Sequence, residues 1–486
     1  MQIRNLFCLI LFLVVGCSKP NWTPPSVSTK DLTPLNDYRI VRVITHLHTP
    51  YSYDACDKQG LVNGVPNANC LAEFRRGLCD NQVDFAMLTD HPEHMAETDF
   101  KQLLLYQTGD KLAPNDDAPV SSTLGGCAKG NTPQLSVGFE GALMPVLMES
   151  QIEPDVTTRL ALYQKDDSNT VARLRTESNG LIMIPHTEHW SIDDLQALAP
   201  DGIEVYNLHA NLDPKIRAAH LEIPSFDPAL NLLPYYIDPY RQEIPDLAFI
   251  GFMEWSPVYA RIWDALLARY LKFTALSGCD SHENTLSSIA WDDERLDAHR
   301  RLMHWVTEFA YVKENTFDEV KTAFQNHRVN LVFEGFGTPD QFEFTASTST
   351  TTAMVGETLP LEESQTRIRV KVPNIHAGSF QPGYATDSAA GTAQIKLVLR
   401  KISIKSQNSD IVAEAVDQSI DFGVYEPGIY RAEVWIRPKH LSSFLNYDYN
   451  QANLDHLWIL SNPIWIEAAA VTEGRKTTRE TSLEEN

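Results

Sequence analysis

The sequence has few basic side chains for its length. Its 486 residues include 40 Lys and Arg against 64 Asp and Glu, which gives a formal net charge of −24. A surface with this charge repels the phosphates of nucleic acids and the head groups of anionic lipids. The composition therefore excludes a general nucleic-acid binder, although metal ions could supply local positive charge for a small phosphorylated substrate.

Long hydrophobic runs are also scarce. The amino terminus has one such run, residues 6–15 after Arg4, and its length of about ten residues is half of what a membrane-spanning helix needs. Gly16-Cys17 after this run resembles a bacterial lipobox, which implies cleavage before Cys17 and acylation of that residue. An ordinary secretory signal is the alternative. We therefore expect a signal peptide over 1–16, a tether over 17–37, and a lipid-anchored protein of the bacterial cell envelope, at the outer membrane or periplasmic face.

Cysteine is sparse, and two of the seven cysteines, Cys8 and Cys17, belong to the signal and the anchor. An oxidising envelope permits disulfides among the next four, but the sequence leaves their pairing open. Their spacing does not match a zinc ribbon. Cys279 is expected to be a small core residue. The four cysteines that could pair are Cys56, Cys70, Cys79 and Cys127.

Twelve of the fifteen histidines lie between residues 40 and 340, which places the expected chemistry in this part of the chain. Short apolar runs rich in β-branched residues recur here, each followed by a polar residue. The predicted strands are 40–45, 83–89, 135–139, 181–185, 203–206 and 273–277. The polar residues that follow them are His46, Asp90, Glu140, His186, Asn207 and Asp280.

Helical signals fill the gaps between these strands. Ser191 with Asp194 is typical of a capping box, Ser256-Pro257 begins an apolar periodic stretch to residue 272, and Thr316 begins a helix over 317–327. Strands that alternate with helices predict a parallel sheet. Polar residues at the carboxyl ends of its strands favour a (β/α) barrel, because the site of such a barrel lies on that face.

The pattern changes after about residue 340, where strands are predicted at 367–372, 395–404, 429–436 and 457–466 without comparable helices. We therefore expect an α/β domain over 38–340, a smaller all-β, sandwich-like domain over 341–470, and a disordered tail over 471–486.

The strongest functional signal is His46-Leu47-His48 at the end of a predicted strand, with Asp54 six residues beyond His48. Side chains at i and i+2 of an extended chain point to the same face, so both imidazoles could bind one divalent ion. Further clusters follow later strands: Thr89-Asp90-His91, Gly138-Phe139-Glu140-Gly141, Ile184-Pro185-His186 and Asp280-Ser281-His282.

With these motifs in this order, the chain resembles the PHP family, named for polymerase and histidinol phosphatase, over about residues 39–335. The run 202–207 is similar to the carbaryl-hydrolase-like branch. The resemblance implies a distorted (β/α)7 barrel with two or three metal ions at the carboxyl ends of its strands.

The resemblance also implies a ligand set. His46, His48, Glu140 and Asp280 would hold one ion, and Glu140 would bridge toward a further ion that includes His186. The neighbouring ion would be held by Asp54, His91 and His282. The family often has another histidine between the positions of Glu140 and His186, and this chain has none. His189 or Glu188 could take its place, or the site could hold only two ions.

Mixed imidazole and carboxylate ligands suit Zn²⁺, Mn²⁺ or Fe²⁺. Two such ions could activate a shared water for hydrolysis. The candidate catalytic residues are Asp280, which could accept the proton of that water, His186, and Asp90, which could orient His91 or a neighbouring residue. Glu204 and Asn207 could contact substrate or support the ligands. The histidines expected on the surface or in helix packing are His94, His209, His220, His299, His304 and His327.

These observations predict a metal-dependent hydrolase, with phosphoester hydrolysis favoured. Hydrolysis of an amide, carbamate or ester on the same metal centre is an alternative, and so is a degenerate, non-catalytic metal-binding surface protein. The expected partners are a small-molecule or phosphoester substrate and, through the lipid anchor alone, a membrane. The oligomeric state is left open.

Overall fold

The computed structural model describes residues 27–224, 228–237, 244–379, 392–445 and 449–468. The predicted signal peptide, residues 17–26 of the tether with the acylation site Cys17, and the tail 471–486 lie outside the described residues. Within the described ranges, no helix combines the length and the apolar character that a bilayer crossing requires.

The first part of the chain is mixed α/β. Its strands are β1 (Arg39–Leu47), β2 (Leu61–Val62), β3 (Val65–Pro66), β4 (Phe85–Leu88), β5 (Lys111–Ala113), β6 (Ser121–Thr123), β7 (Gln134–Val137), β8 (Met144–Val146), β9 (Leu181–Ile184), β10 (Gly202–Asn207), β11 (Thr274–Gly278), β12 (Thr307–Val312) and β13 (Val329–Val332). The α-helices of six residues or more are Ala68–Asp80, Pro92–Glu97, Val156–Tyr163, Ser168–Glu177, Ile192–Leu198, Pro228–Ile237, Pro257–Ala268, His299–Trp305 and Phe317–Gln325.

Three of these helices begin where the sequence predicts. The hydroxyl of Ser191 accepts a hydrogen bond from the backbone N–H of Asp194 at 3.1 Å. Ser256 and Thr316 cap the helices Pro257–Ala268 and Phe317–Gln325 in the same way. Each cap satisfies a backbone donor that the first helical turn leaves unpaired, so the local sequence fixes these starts.

Two sheets carry the functional strands. In the larger sheet, β1 pairs in parallel with β4, and β4 in parallel with β7. In the smaller sheet, β10 lies between β9 and β11, also in parallel. Isolated bridges join the two sheets, one between Leu47 and Ser281 and one between Val137 and Met148.

Antiparallel strands interrupt this parallel pattern. β8 runs antiparallel to β9, β12 to β1, and β13 to β12. The pairing is therefore more irregular than that of a regular (β/α)7 barrel. The strand β1 is buried from Ile40 to Leu47 on both faces, as is typical of a strand inside a layered α/β structure.

The second part of the chain is rich in sheet, as the sequence predicts. Its strands are β14 (Pro339–Asp340), β15 (Glu343–Ser347), β16 (Thr352–Met354), β17 (Thr358–Pro360), β18 (Arg367–Lys371), β19 (Asn374–Ile375), β20 (Gln394–Ser403), β21 (Asn408–Val416), β22 (Ile420–Gly423), β23 (Gly428–Arg437), β24 (His456–Ser461) and β25 (Ile464–Glu467). The strands β16, β15, β18 and β22 form a separate four-stranded sheet.

The remaining long strands of this second part extend the larger sheet of the first. β24 pairs antiparallel with β13, so the hydrogen-bonded ladder runs from one part of the chain into the other. The predicted strand 457–466 is split into β24 and β25 at Asn462. The side chain of this buried residue bonds the backbone of Ala275 in β11, accepting its N–H at 2.8 Å and donating to its carbonyl at 3.0 Å.

The four cysteines whose pairing the sequence leaves open form two disulfides. Cys56 is bonded to Cys70, and Cys79 to Cys127. Cys279 is free and buried, in agreement with its expected place in the core.

Candidate metal centre

Three of the predicted ligands have a left-handed backbone conformation. The φ angles are 56° at His46, 48° at His186 and 52° at Asp280. Such conformations cost about 1–3 kcal/mol each in residues other than glycine, and they persist where the surroundings over-determine them. At His46 the left-handed residue coincides with a register shift between β1 and β4. The strand is therefore irregular where its two histidines are presented, and simple alternation does not describe it.

The first predicted ligand group comes together around one point. One ligand atom from each of His46, His48, Glu140 and Asp280 lies within 4.8 Å of the other three. The Nε2 atoms of His46 and His48 are each 3.2 Å from a different oxygen of Glu140. They lie 3.4 and 3.5 Å from Oδ1 of Asp280. Residues separated by more than two hundred positions thus converge.

A second group lies beside the first and shares two of its members. Ligand atoms of His48, His91, Glu140 and His282 all lie within 4.8 Å of one another. The Oδ2 atom of Asp54 is 3.5 Å from Nε2 of His91 and 3.3 Å from Nε2 of His282. Since Glu140 and His48 belong to both groups, the two possible ion positions are adjacent.

His186 contacts two members of the first group. Its Nε2 atom is 3.2 Å from Oε1 of Glu140 and 3.3 Å from Oδ2 of Asp280. Its Nδ1 atom lies 3.2 Å from Oε1 of Glu188. Glu188 therefore contacts the nitrogen of His186 that points away from the ligand groups. His189, whose Nε2 lies 3.6 Å from Oε1 of Glu188 and whose side chain is 46% exposed, lies farther out.

Several polar atoms at the centre of these groups are buried without a hydrogen bond to the protein. They are Nε2 of His46, Nε2 of His48 and Oδ1 of Asp280. A buried polar atom without a partner costs about 1–3 kcal/mol. Three such atoms that face one another indicate a place for a cation, and the imidazole and carboxylate donors fit Zn²⁺, Mn²⁺ or Fe²⁺.

Glu204 and Asn207 support the ligands instead of facing the cavity. Oε1 of Glu204 lies 2.6 Å from Nδ1 of His46, and Oε2 accepts the backbone N–H of His186 at 2.9 Å. The amide of Asn207 donates to Glu204 at 3.0 Å and to Asp280 at 3.2 Å. Both side chains are completely buried, so of their two expected roles the geometry favours ligand support over substrate contact.

Asp90 belongs to neither ligand group. Its two carboxylate oxygens accept hydrogen bonds from the backbone N–H and the hydroxyl of Thr49, at 2.6 and 2.8 Å. The carboxylate of Asp90 thus bonds Thr49, the residue next to His48, so of its two expected roles, orienting His91 or a neighbouring residue, these contacts favour the second. Asp90 holds the segment that follows His48.

Glu308 in β12 is a further buried carboxylate near the ligands, and the sequence did not predict a role for it. Its Oε1 atom accepts hydrogen bonds from the backbone N–H of Ser277 at 2.8 Å and from its hydroxyl at 2.5 Å. Thr45 donates to the same oxygen at 3.3 Å. Burial raises the pKa of Glu308 to about 7, although the hydrogen bonds from Ser277 act to lower it. Glu308 therefore ties β12 to the two strands that lead to His46 and Asp280.

The imidazoles and carboxylates of the ligand groups shift one another's pKa values. Burial lowers the pKa of His48, but the carboxylates of Asp280 and Glu140 outweigh burial and raise it to about 9. Burial raises the pKa of Asp280 and Glu140, yet the neighbouring imidazoles hold both well below the usual range. Burial and the charge of His48 lower the pKa of His282 to about 3. A divalent ion would replace the protons on the imidazoles, so its binding should release protons.

A cavity of about 700 Å³ opens onto these groups. Its wall includes Trp190 and Ile216 together with the acidic residues Asp166 and Asp194. None of the described residues that line it is Lys or Arg. Among the described residues, the imidazoles are therefore the groups of this wall that could present positive charge to a substrate.

His209 lies in the wall of this cavity and not, as the sequence predicts, on the surface or in helix packing. It belongs to the short helix Leu208–Leu212, and ligand atoms of His209, Asp280 and His282 lie within 4.8 Å of one another. Asn207 caps this helix while it donates to Asp280, which fixes His209 over the ligands. The signal available in the sequence was its position two residues after the polar end of a strand.

Comparisons with known proteins find little. No protein family matches the chain, and no curated protein does. One solved structure is similar: a two-domain protein from Bacteroides vulgatus that contains a predicted PHP-like metal-dependent phosphoesterase. The identity is 12%, the alignment covers 88% of this chain and 97% of that chain, and the TM-score is 0.34. A likeness this distant establishes neither the family nor the activity of this chain.

Proposed function

We propose that the protein is a metal-dependent hydrolase that acts on phosphate esters. The observation that carries the proposal is the pair of adjacent ligand groups that share Glu140 and His48, with unpartnered buried atoms at their centre. Two ions held at these adjacent positions would supply a Lewis acid and an activated water, which suit in-line displacement at phosphorus.

The residues of the chain have distinct tasks in this proposal. His46, His48, Glu140, Asp280 and His186 hold one position, and Asp54, His91 and His282 the next. The second carboxylate oxygen of Asp280 can accept a proton from the attacking water. The cavity that opens onto both positions would bind the substrate.

We further propose that the two bridged sheets are parts of one distorted (β/α) barrel of PHP type. The parallel strands β1, β4, β7, β9, β10 and β11, with the bridges at Leu47 and Val137, support this proposal. The location proposed for the protein is the bacterial cell envelope, with Cys17 as the lipid-bearing residue. Labelling of the expressed full chain with a radioactive fatty acid, compared with Cys17→Ala, tests the anchor.

The enzymatic proposal is tested on purified protein loaded with Zn²⁺, Mn²⁺ or Fe²⁺. Elemental analysis and hydrolysis of p-nitrophenyl phosphate and bis-p-nitrophenyl phosphate are measured for the unaltered chain and for His48→Ala. A matched control is His376→Ala, which removes an imidazole outside the ligand groups. We expect at least 100-fold lower activity in His48→Ala alone. Equal activity in all three proteins would refute the site.

A second candidate function is hydrolysis of carboxylic esters, carbamates or amides on the same ions. The specific observation in its favour is the cavity wall, which offers Trp190 and Ile216 but, among the described residues, no Lys or Arg for a highly charged substrate. Turnover of p-nitrophenyl acetate or an aryl carbamate without turnover of either phosphate ester would select this alternative.

A further inference from the structure

A tyrosine outside the ligand groups contacts the carboxylate behind His186. The hydroxyl of Tyr259 donates a hydrogen bond to Oε2 of Glu188 at 2.7 Å, while Oε1 of Glu188 lies 3.2 Å from Nδ1 of His186. Tyr259 and the side chain of Glu188 are both 0% exposed. The carboxylate is therefore held at one end by a phenol and at the other by the imidazole.

This arrangement sets the direction of the His186 ring. A carboxylate that accepts from Nδ1 leaves Nε2 free to face an ion, and on the described structure Nε2 faces Glu140 and Asp280. The residue that anchors a ligating histidine in this way fixes both its tautomer and its ring orientation. Without the Tyr259 hydroxyl, Oε2 of Glu188 loses its hydrogen-bond donor, and the carboxylate can turn away from His186.

Tyr259 lies on a helix that the second part of the chain holds. The helix Pro257–Ala268 carries Asp264, whose Oδ1 accepts from Nε of Arg431 at 3.1 Å and whose Oδ2 accepts from the hydroxyl of Ser409 at 2.6 Å. Arg431 is in β23 and Ser409 in β21. Arg431 also stacks over Trp263 of the same helix, with its guanidinium carbon 4.7 Å from the ring centroid.

The two contacts lie on different sides of that helix. Tyr259 and Asp264 are five positions apart, which places them about 140° apart around the helix axis. One side thus contacts the residue behind His186, and the other is bound to the sheet of the second part by a buried ion pair, with Arg431 1% and Asp264 4% exposed. A shift of the helix along its axis would move Tyr259 relative to Glu188.

We infer that the sheet-rich second part of the chain positions His186 through this helix, with Tyr259 and Glu188 as the connecting residues. The inference rests on the proposed metal site, and it assigns to β21 and β23 a role in setting the affinity of that site. Tyr259, Glu188 and Asp264 are positioning residues, since none of them belongs to either ligand group.

The test measures ion affinity rather than turnover. Zn²⁺ and Mn²⁺ dissociation constants are determined on the full chain by competition with a chromophoric chelator for the unaltered protein and for Tyr259→Phe, which removes one hydroxyl. The matched control is Tyr311→Phe, which removes the hydroxyl of another buried tyrosine, bonded to Asn330 at 2.9 Å and remote from the ligands. Thermal unfolding of the chelator-treated proteins reports the purely structural effect of each change.

We expect Tyr259→Phe to weaken one ion by about 10-fold or more, while Tyr311→Phe changes only the unfolding temperature. Glu188→Gln, which keeps an acceptor for His186, should retain more affinity than Glu188→Ala. Asp264→Asn should weaken the same ion as Tyr259→Phe.

Two outcomes overturn the inference: unchanged affinity in Tyr259→Phe, or equal losses in Tyr259→Phe and Tyr311→Phe. Failure of the proposed function is seen separately, as ion binding without hydrolysis of any ester tested. A chain that binds neither Zn²⁺ nor Mn²⁺ overturns both.

Discussion

The buried carboxylate of Glu308 should make the protein less stable as the pH rises from 5 to 8. Burial raises the pKa of this group to about 7, from an ordinary value of 4.5. Between these two values the folded chain holds a proton that the unfolded chain has lost, so the free energy of unfolding must fall with increasing pH. At 1.36 kcal/mol per pKa unit, the free energy of unfolding falls by about 3 kcal/mol in total once the pH is above 7.

Glu308→Gln isolates this contribution. An amide has the shape of the protonated carboxyl and can still accept from Ser277 and Thr45, but it never ionises. We therefore expect the variant to match the unaltered protein near pH 5 and to exceed its free energy of unfolding by about 3 kcal/mol at pH 8. Urea denaturation followed by tryptophan fluorescence at pH 5, 6, 7 and 8 provides the comparison.

Exposed Glu97→Gln serves as the control, because it removes a carboxylate from a helix end without altering a buried one. Taking the difference between variants at each pH cancels the titration of all other groups. The reasoning fails if the difference between Glu308→Gln and the unaltered chain is constant across this range, or if it grows toward acid.

Three further predictions concern the cavity, a disulfide and a buried ion pair. His209→Ala should raise KM or lower kcat for the phosphate esters while elemental analysis finds the same ion content, because His209 lines the cavity next to Asp280; loss of an ion would identify it as a ligand instead. Replacing Cys79 and Cys127 by serine opens a loop with a sequence separation of 48 and should lower the free energy of unfolding by up to about 4 kcal/mol, measured by urea denaturation under non-reducing conditions. Arg42→Ala leaves Glu334 buried without the guanidinium that bonds it at 2.6 and 2.7 Å, so the free energy of unfolding should fall by about 3–5 kcal/mol. Recovery of this free energy in the double variant Arg42→Met with Glu334→Leu would show that the unpaired charge is the cause.

The local part of the fold could be predicted because its signals are local. The functional strands and the caps at Ser191, Ser256 and Thr316 follow from periodicity and from side chains that bond the next turn. The motif residues stand at strand ends, and parallel neighbours bring such ends to one edge. The convergence of His46, His48, Glu140 and Asp280 follows from that geometry.

The parts that the sequence did not predict depend on distant partners. The strand β21 begins with three polar residues and has no buried position, and its pairing with β20 makes it a strand. Glu308 stands in a buried strand where periodicity predicts apolar side chains, because donors on β1 and β11 satisfy it. The direction of a side chain that follows a strand depends on the course of the loop, which local periodicity does not predict. For this reason the sequence did not predict that Asp90 bonds Thr49 or that His209 lines the cavity.

The ladder between β13 and β24 has a practical consequence for dividing this protein. If the chain were truncated after residue 340, β13 would become an edge strand of the larger sheet. Its backbone N–H and C=O groups that face Ser461, Leu460 and Ile459 would lose their hydrogen-bond partners. An exposed edge strand can pair with strands of other molecules, so the truncated protein should aggregate instead of remaining monodisperse. It would also lose the Asn462 amide from the flank of β11. The α/β first part and the sheet-rich second part should therefore be produced, purified and crystallised together.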